Sequence, residues 1–586
     1  MKSRFIIAAL GLLAVMVTGG WKLPDSTPFI PVCQIQGSGL SSPYLGRHLW
    51  TEGVVTADFD AGGRRMFFLQ APACDGNPAT SDGIRIYLSE SIDLVRTGDW
   101  VAVRGVVNEY YGQTELLAAP GDVSLSASGQ ALPAAIELDP PFELAAAKLY
   151  FEARESMRVR LGDGLVVGPT SARGQTWLVR SDLGLARVFA GDARGTGEII
   201  ALSADGYFRL LPDARSGDRV WQIEGVLDYS LGDYQVLLTG QPILLPGTFE
   251  AGDMPELSGA VLSAASLNLA NLFDTVDDPN RDDSVPTASA YHRKLEKLAL
   301  LIRDGLREPA LLGVQEAETG AVLAHLANRP ELSTDYGVVW VDGPDQRGID
   351  VGLLYDQTRF LVLEYQAQQA CTRLLDGLGP DGNRDPRQPL NALTCDSDGN
   401  GSLDGNRLFS RPPLLVRLLD LESVPATELW VLVLHWKSKV EDTSSQAYTA
   451  PRRLEQAQFS AGLVAQILAQ DPAAAVLVLG DLNDLPASAP WQALQQVNLL
   501  DLTSRVAPGQ RYTYIHAGIS QVLDYVLVSP ALHLLGSTVN IPHLNADYPA
   551  VFAESAGTAI RSSDHDAVQV AFFEFKERIF LPLIAH

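Results

Sequence analysis

Residues 475–484 read AVLVLGDLND, an unbroken apolar run that passes through Gly480 and ends in Asp481, Asn483 and Asp484. A run apolar on both faces fits a strand covered on both sides inside a layered domain. A strand that ends in carboxylate and amide groups puts them at one edge of its sheet, where sites form. The arrangement recurs along the C-terminal half. AASLN closes on Asn268, LLGVQE on Glu316 and VLVLH on His435. DYVLVS opens on Asp524, and SDHD sets Asp564 and His565 just before VQVAFF. Amphipathic segments alternate with these runs. In YHRKLEKLALLIRDGL (291–306), Leu295, Leu298, Ala299 and Ile302 share one helical face. The pattern predicts a strand-rich α/β layered domain over 258–575.

A repeat organises the N-terminal half. Residues 98–117, GDWVAVRGVVNEYYGQTELL, match 217–238, GDRVWQIEGVLDYSLGDYQVLL, with Gly105 to Gly112 spaced as Gly225 to Gly232. Upstream, GVVTADFDAGGRRMFFLQ (53–70) and GLVVGPTSARGQTWLVR (164–180) give each copy a further strand pair. Short alternating strands with Gly-rich turns predict two small all-β modules, at 30–130 and 140–250. Five or so strands per copy fit a small closed barrel, and the pattern resembles the OB-fold type. Trp50, Phe67, Phe68, Tyr110 and Tyr111 are either core or a stacking surface, and alternation favours core for most of them.

The chain has 586 residues, 46% hydrophobic and 19% charged, with net charge -26. That composition excludes wholesale disorder and excludes gripping nucleic acid by bulk charge. Lys2 and Arg4 precede an apolar run from Phe5 to Val17, the pattern of a secretory signal peptide over 1–20. An uncleaved anchor is the alternative. The last residues, 576–586, form a tail too short to span a membrane. In an exported chain the four cysteines read as two disulfides, Cys33 with Cys74 and Cys371 with Cys395.

The residue types at the strand ends suit one reaction. Asn268, Glu316 and Asp564 are hard oxygen ligands, fit for Mg²⁺ or Mn²⁺. His435 and His565 can move protons at neutral pH, and Asp524 can fix the tautomer of His565. No Gly-rich phosphate loop and no Gly-x-Ser-x-Gly elbow occurs. The set points to metal-assisted attack of water on a phosphodiester.

Through LNLANLFD, GVQE, RGIDVGLLY, LFSRPPL, LHWKSK, GDLND, LDYVLVS and SDHDAV, in that order, residues 259–575 resemble the endonuclease/exonuclease/phosphatase superfamily. The likeness is to its secreted bacterial nucleases with OB-like N-terminal modules, and it implies a four-layer deoxyribonuclease I-like sandwich. It implies Glu316 as main metal ligand, helped by Asn268 and Asp564. Asp481 and Asn483 would orient water and hold the phosphate. His565 with Asp524, and His435 oriented by Asp350, would be the two catalytic histidines. Arg411 would contact phosphate. Lys437, near these motifs in sequence, reads as either a phosphate contact or a solvated face. The sequence departs from that subgroup at Leu434, where Asn is usual.

DSDGNGSLDG (396–405) sets Asp396, Asp398 and Asn400 at alternate positions, the spacing of a calcium loop, with Asp404 a further ligand. Arg407 stands where an EF-hand has Glu, so the loop is a looser Ca²⁺ site or a polar surface loop. Arg293, Lys294, Lys297, Lys439, Arg452, Arg453 and Arg511 are either phosphate contacts or solvated faces. His292, His325, His516, His533 and His543 read as structural or surface residues. The expectation is a secreted Mg²⁺- or Mn²⁺-dependent endonuclease acting on DNA, with RNA as a further substrate, no stable protein partner and no membrane association after signal removal. The alternatives are a sphingomyelinase-like or inositol-phosphate-like phosphoesterase, or an inactive nucleic-acid-binding protein.

Overall fold

The computed structural model describes residues 27–60, 63–72, 74–203, 212–230, 232–247, 257–374, 393–442 and 447–574. The signal segment 1–20 and the tail 576–586 lie outside them. The chain divides into two compact units, one reaching to Pro133 together with Ala153–Met157, the other comprising Ala134–Glu152 and the chain from Arg158 onward.

The first unit is built on five strands, β1 (His48–Asp58), β2 (Met66–Gln70), β3 (Gly83–Leu88), β4 (Trp100–Tyr110) and β5 (Gln113–Ala118), with β6 (Val123–Ala127) added beside β4. The order β1-β2-β3-β5-β4 closes on itself because β4 also pairs with β1. Apolar residues alternate inward, and Phe67, Leu69, Ile84, Val101, Val103 and Leu116 fill the barrel. Phe67 and Phe68 are core, as alternation predicts. Trp50 is half-buried against Phe29, and only Tyr110 and Tyr111 of the five aromatics stand exposed.

The second unit opens with a barrel of the same topology. After β7 (Ile136–Glu137) come β8 (Arg158–Gly168), β9 (Thr176–Arg180), the short β10 (Val188–Phe189), β11 (Ile200–Ser203), β12 (Arg219–Ser230), β13 (Asp233–Leu238) and β14 (Ile243–Leu245). The closed order is β8-β9-β11-β13-β12, and β11 runs parallel to β13 as β3 does to β5. The first glycine of each repeated pair, Gly105 and Gly225, has one cause. A side chain at Gly105 would collide with the Leu117 carbonyl, and one at Gly225 with that of Leu237.

The rest of the second unit is a sandwich. One sheet orders β17-β18-β16-β15, then β30 and β29. Its strands are β15 (Leu262–Leu272), β16 (Leu311–Ala317), β17 (Tyr336–Trp340), β18 (Asp350–Asp356), β29 (Gly536–Asn540) and β30 (Val568–Phe573). The other sheet orders β19-β22-β23-β24-β28-β25. Its strands are β19 (Phe360–Ala367), β22 (Leu414–Asp420), β23 (Thr427–His435), β24 (Ala475–Asp481), β25 (Leu500–Asp501) and β28 (Asp524–Val528). The small strands β20 (Cys371–Thr372) and β21 (Asn406–Arg407) pair together, and β26 (Tyr514–His516) and β27 (Ile519–Gln521) form a hairpin that takes up β10.

Three apolar clusters set the layers. Ala264, Leu311, Leu353, Val416, Val431, Leu477, Leu479 and Val526 pack sheet against sheet. Helices α1 (Ala288–Leu300) and α2 (Gly320–Ala327) cover the first sheet. Helix α3 (Ala450–Gln470) covers the second. Leu295, Leu298, Ala299 and Ile302 are buried as their spacing predicts, and Thr287 caps α1 by accepting from the Ala290 N–H at 3.2 Å. Both expected disulfides form, with Cα separations of 6.0 Å for Cys33–Cys74 and 5.9 Å for Cys371–Cys395.

Candidate active site

Strand register assembles the site. β23 and β24 run parallel with His435 level with Asp481, and β24 meets β28 with Asp481 opposite Asp524. Three neighbouring strands therefore deliver an imidazole and two carboxylates to one edge of one sheet. The facing sheet supplies Asn268 from β15 and Glu316 from β16, also parallel neighbours. His565 enters on the turn before β30.

The side chains meet. His565 Nδ1 lies 2.8 Å from Asp524 Oδ2. Asn268 Nδ2 donates to Asp481 Oδ2 at 3.1 Å, and the Asn483 N–H donates to Asp481 Oδ1 at 2.9 Å. His435 Nε2 stands 3.7 Å from Asp481 Oδ2 and 3.9 Å from Glu316 Oε1. The Asn271 N–H donates to Glu316 Oε2 at 2.8 Å. Ligand atoms of Asp481, Asp524 and His565 all lie within 4.8 Å of one another. Backbone strain concentrates here, since Ala270, Asn271, Glu316 and Asn483 hold φ of 51°, 56°, 65° and 48°.

Burial and charge divide the titratable groups. Burial, with the cations of Arg411 and Arg347 nearby, holds His435 well below the usual histidine range. Burial acts the same way on His565, but the carboxylates of Asp524 and Asp481 outweigh it and hold that imidazole well above its ordinary value. Burial and the Asp524 charge push Asp481 up to about 7. Burial would raise Asp564, but the cations of His565, Arg561 and Lys294 keep its carboxyl low.

Several residues singled out from sequence have other partners. Asp350 lies at the same edge, but no hydrogen bond joins it to His435. Its Oδ2 accepts from the Gly343 N–H at 2.8 Å, while its Oδ1 and His435 Nδ1 are both buried without a partner. Arg411 is 5% exposed and is pinned by Asp345 at 3.0 Å and by the Trp436 carbonyl at 3.1 Å. Lys437 pairs with Glu441 at 2.6 Å, and Lys439 with Asp484 at 3.3 Å. Lys297 donates to the carbonyls of Ser555, Thr558 and Ile560. Arg453 is held by Asp484 and Asp442, Arg452 by main-chain carbonyls, and Arg511 by the Val506 carbonyl. Lys294, pulled down to about 8 by burial, donates to the Ser562 carbonyl at 2.7 Å. Sequence cannot tell a cation that clamps carbonyls from one that faces solvent.

Other contributors carry no sequence signal. Tyr514 stacks on His565 with centroids 4.6 Å apart. Ser563 Oγ donates to the Asn268 carbonyl at 2.7 Å and accepts from the His565 N–H at 3.1 Å. Beside Glu316 a cleft of about 490 Å³ opens between Asn271, Phe273, Val285, Tyr291, Arg347 and Lys294.

In the loop at 396–405, Asp396 Oδ1 accepts from the N–H groups of Asp398, Gly399 and Asn400, and its Oδ2 from that of Gly401 at 2.6 Å. Carboxylate oxygens of Asp396, Asp398 and Asp404 lie within 4.8 Å of one another, with Arg373 paired to the latter two. The Asn400 amide oxygen takes the Ser402 N–H at 2.9 Å.

Residues 263–378 match the model of the Endonuclease/Exonuclease/phosphatase family. Residues 144–248 match a Domain of unknown function (DUF8508). No curated protein matches the sequence. Among solved structures the chain is similar to the human Nocturnin catalytic domain with bound sulfate, at 14% identity over 55% of this chain and 97% of that one, TM-score 0.34. It is similar to an endonuclease/exonuclease/phosphatase from Bacteroides vulgatus, at 16% identity over 53% and 97%, TM-score 0.33. It is also similar to a Bacteroides thetaiotaomicron mannosyl-6-phosphatase, at 15% identity over 53% and 99%, TM-score 0.33.

Proposed function

We propose that this chain, whose C-terminal region belongs to the endonuclease/exonuclease/phosphatase superfamily, is an exported metal-dependent nuclease that hydrolyses phosphodiester bonds of DNA, and of RNA, with little sequence specificity. The observation that carries the reading is the convergence of two imidazoles on carboxylates at one edge. His565 Nδ1 lies 2.8 Å from Asp524 Oδ2, and His435 Nε2 stands 3.7 Å from Asp481 Oδ2 and 3.9 Å from Glu316 Oε1.

The donor set fits a hard divalent ion such as Mg²⁺ or Mn²⁺. Glu316, Asn268 and Asp564 offer oxygen, and among the described residues Glu316 Oε1 takes no hydrogen bond. Bound there, the ion supplies positive charge against the phosphate oxygens. The chain's own groups do the rest. Asp481, near neutrality in its proton affinity and steadied by Asn268 and the Asn483 N–H, accepts a proton from the attacking water at Oδ2. His565 presents a charged N–H to the oxygen on which negative charge builds. His435, whose Nε2 faces Glu316 and Asp481, holds a phosphate oxygen by its Nε2–H. Arg411 acts through its field rather than by direct contact, because Asp345 occupies it.

Export is supported by the two disulfides, and among the described residues no helix is long and apolar enough to cross a membrane. A structural Ca²⁺ at Asp396, Asp398, Asn400 and Asp404 belongs to the same proposal, as does nucleic-acid binding by the two barrels.

The test is incubation of the purified chain with circular DNA, linear DNA, RNA and sphingomyelin under Mg²⁺, Mn²⁺, Ca²⁺ or chelator. The expected result is cleavage of circular DNA that chelation stops and that His565→Ala and Asp481→Ala each abolish. Cleavage of sphingomyelin alone, or a fully active His565→Ala, would sink the proposal.

A further inference from the structure

One short strand of the second barrel pairs with a strand of the sandwich region. β10 pairs in parallel with β27, Val188 level with Ile519, and the Ala190 N–H donates to the Ser520 carbonyl at 3.0 Å. β27 is the hairpin partner of β26, which carries Tyr514 against His565. Two further main-chain bonds tie the barrel to the segment around Asp547, from the Ser216 N–H to the Asp547 carbonyl and from the Ala550 N–H to the Thr170 carbonyl, each 3.0 Å.

Next to β10 stands Arg187. Its guanidinium lies 2.8 Å from Asp547 Oδ1 and 3.9 Å from the centre of the Tyr512 ring. Tyr512 Oη donates to Asp547 Oδ2 at 2.7 Å, and its ring stacks on His543 with centroids 4.1 Å apart. His543 Nδ1 faces Asp566 Oδ2 at 3.4 Å. Asp566 Oδ1 accepts from the Asn545 N–H at 2.8 Å, and Asn545 Nδ2 donates to the carbonyl of His565 at 2.7 Å. Asp547, His543 and Asn545 are fully buried and Asp566 is 1% exposed. The buried carboxylate of Asp547 needs a counter-charge, and Arg187 supplies it.

We propose that Arg187 is a positioning residue for His565, which makes the second barrel a part of the catalytic apparatus and not a separate appendage. Loss of the guanidinium leaves Asp547 buried and uncompensated. The clamp at 545–547 on the main chain of His565 and the carboxylate of Asp566 then relaxes. A misplacement of about 1 Å costs on the order of 10²-fold in rate, and substrate contacts are untouched. The proposal rests on His565 acting in phosphodiester hydrolysis, and its test separates the two.

The full chain is compared with Arg187→Met, Arg187→Lys and the double variant Arg187→Met/Asp547→Asn, on DNA and on bis(p-nitrophenyl) phosphate. Thermal melts and the ring N–H resonance of His565 are recorded alongside. Arg187→Met is expected to lower kcat at least about tenfold on both substrates with KM changed less than about twofold. Arg187→Lys, keeping the charge, and the double variant, removing the buried anion, are each expected to recover part of the rate. Wild-type kcat in Arg187→Met, or a change in KM alone, overturns the proposal. If Arg187→Met does not fold, Arg187→Lys decides: a lowered kcat with a shifted His565 resonance supports positioning, and wild-type values of both overturn it. If the wild-type chain cleaves no phosphodiester, the proposed activity falls, and the His565 resonance in Arg187→Lys still decides this inference.

Discussion

Replacing Asp524 by Asn tests the division of charge in the site. The substitution keeps size and one hydrogen-bonding oxygen but removes a fully buried carboxylate lying 2.8 Å from His565 Nδ1. A charge-assisted hydrogen bond of this kind contributes about 1.5–3 kcal/mol, and each 1.36 kcal/mol is about tenfold in rate, so the bond alone accounts for roughly 10–10² in kcat. Fixing the wrong tautomer of a catalytic imidazole costs more, up to about 10⁴ in hydrolytic triads. The expected loss therefore lies between about 10² and 10⁴ in kcat, with KM little changed because Asp524 does not face substrate. The assay is steady-state cleavage of bis(p-nitrophenyl) phosphate and of circular DNA at saturating Mg²⁺. A companion measurement follows Asp481 in the metal-free protein. Burial raises that group first and the Asp524 charge second, so Asp524→Asn should let Asp481 ionise at lower pH. A variant that folds normally and keeps more than half of wild-type kcat would refute the reasoning.

Asp350, pushed up to about 7 by burial, binds more protons folded than unfolded between its unfolded value near 4 and about 7. Its contribution to stability is thus full at low pH and is lost as pH rises through about 7. Asp350→Asn should accordingly melt higher relative to wild type at pH 8 than at pH 5 in chelator, and an equal difference at both would count against this. Gly343→Ala puts a methyl against Asp350 Oδ1 and should cost about 1–3 kcal/mol in urea melts. Breaking the Cys371–Cys395 bridge, with a sequence separation of 24, should cost about 2–4 kcal/mol while leaving the register of β23, β24 and β28 intact. Retained kcat in Cys371→Ser/Cys395→Ser at a temperature where it stays folded checks the second clause.

The sandwich and its polar edge were legible because two physical signals coincide. Runs such as VLVLGD are buried on both faces, so they are apolar throughout, and their polar ends are conspicuous. Register then does what no single strand announces, setting His435, Asp481 and Asp524 level across three strands. The barrels were legible from the repeat, and Gly105 and Gly225 mark the same close approach in each. The fate of the basic residues was hidden. Lys297, Arg411 and Arg453 read as phosphate contacts or exposed faces, whereas the fold turns them inward onto carbonyls and carboxylates. A long aliphatic stem lets such a head group point either way. Asp350 was placed at the right edge; its Oδ2 takes the Gly343 N–H, and its Oδ1, like His435 Nδ1, is buried without a partner. Arg187 had no signal at all, because β10 is two residues long and its partner strand is more than three hundred residues away in sequence.

The two barrels use one connection for opposite ends. In the first copy the stretch joining β2 to β3 carries Cys74 and is stapled to Cys33. In the second copy the stretch joining β9 to β11 offers its backbone to another sheet. A chain cut at residue 258 would look like a tidy catalytic fragment, but it would strip β27 of its neighbour and leave bare N–H and C=O groups that invite self-association. The smallest faithful piece of this chain should begin near Ala134, and gel filtration of the two truncations side by side would reveal the difference.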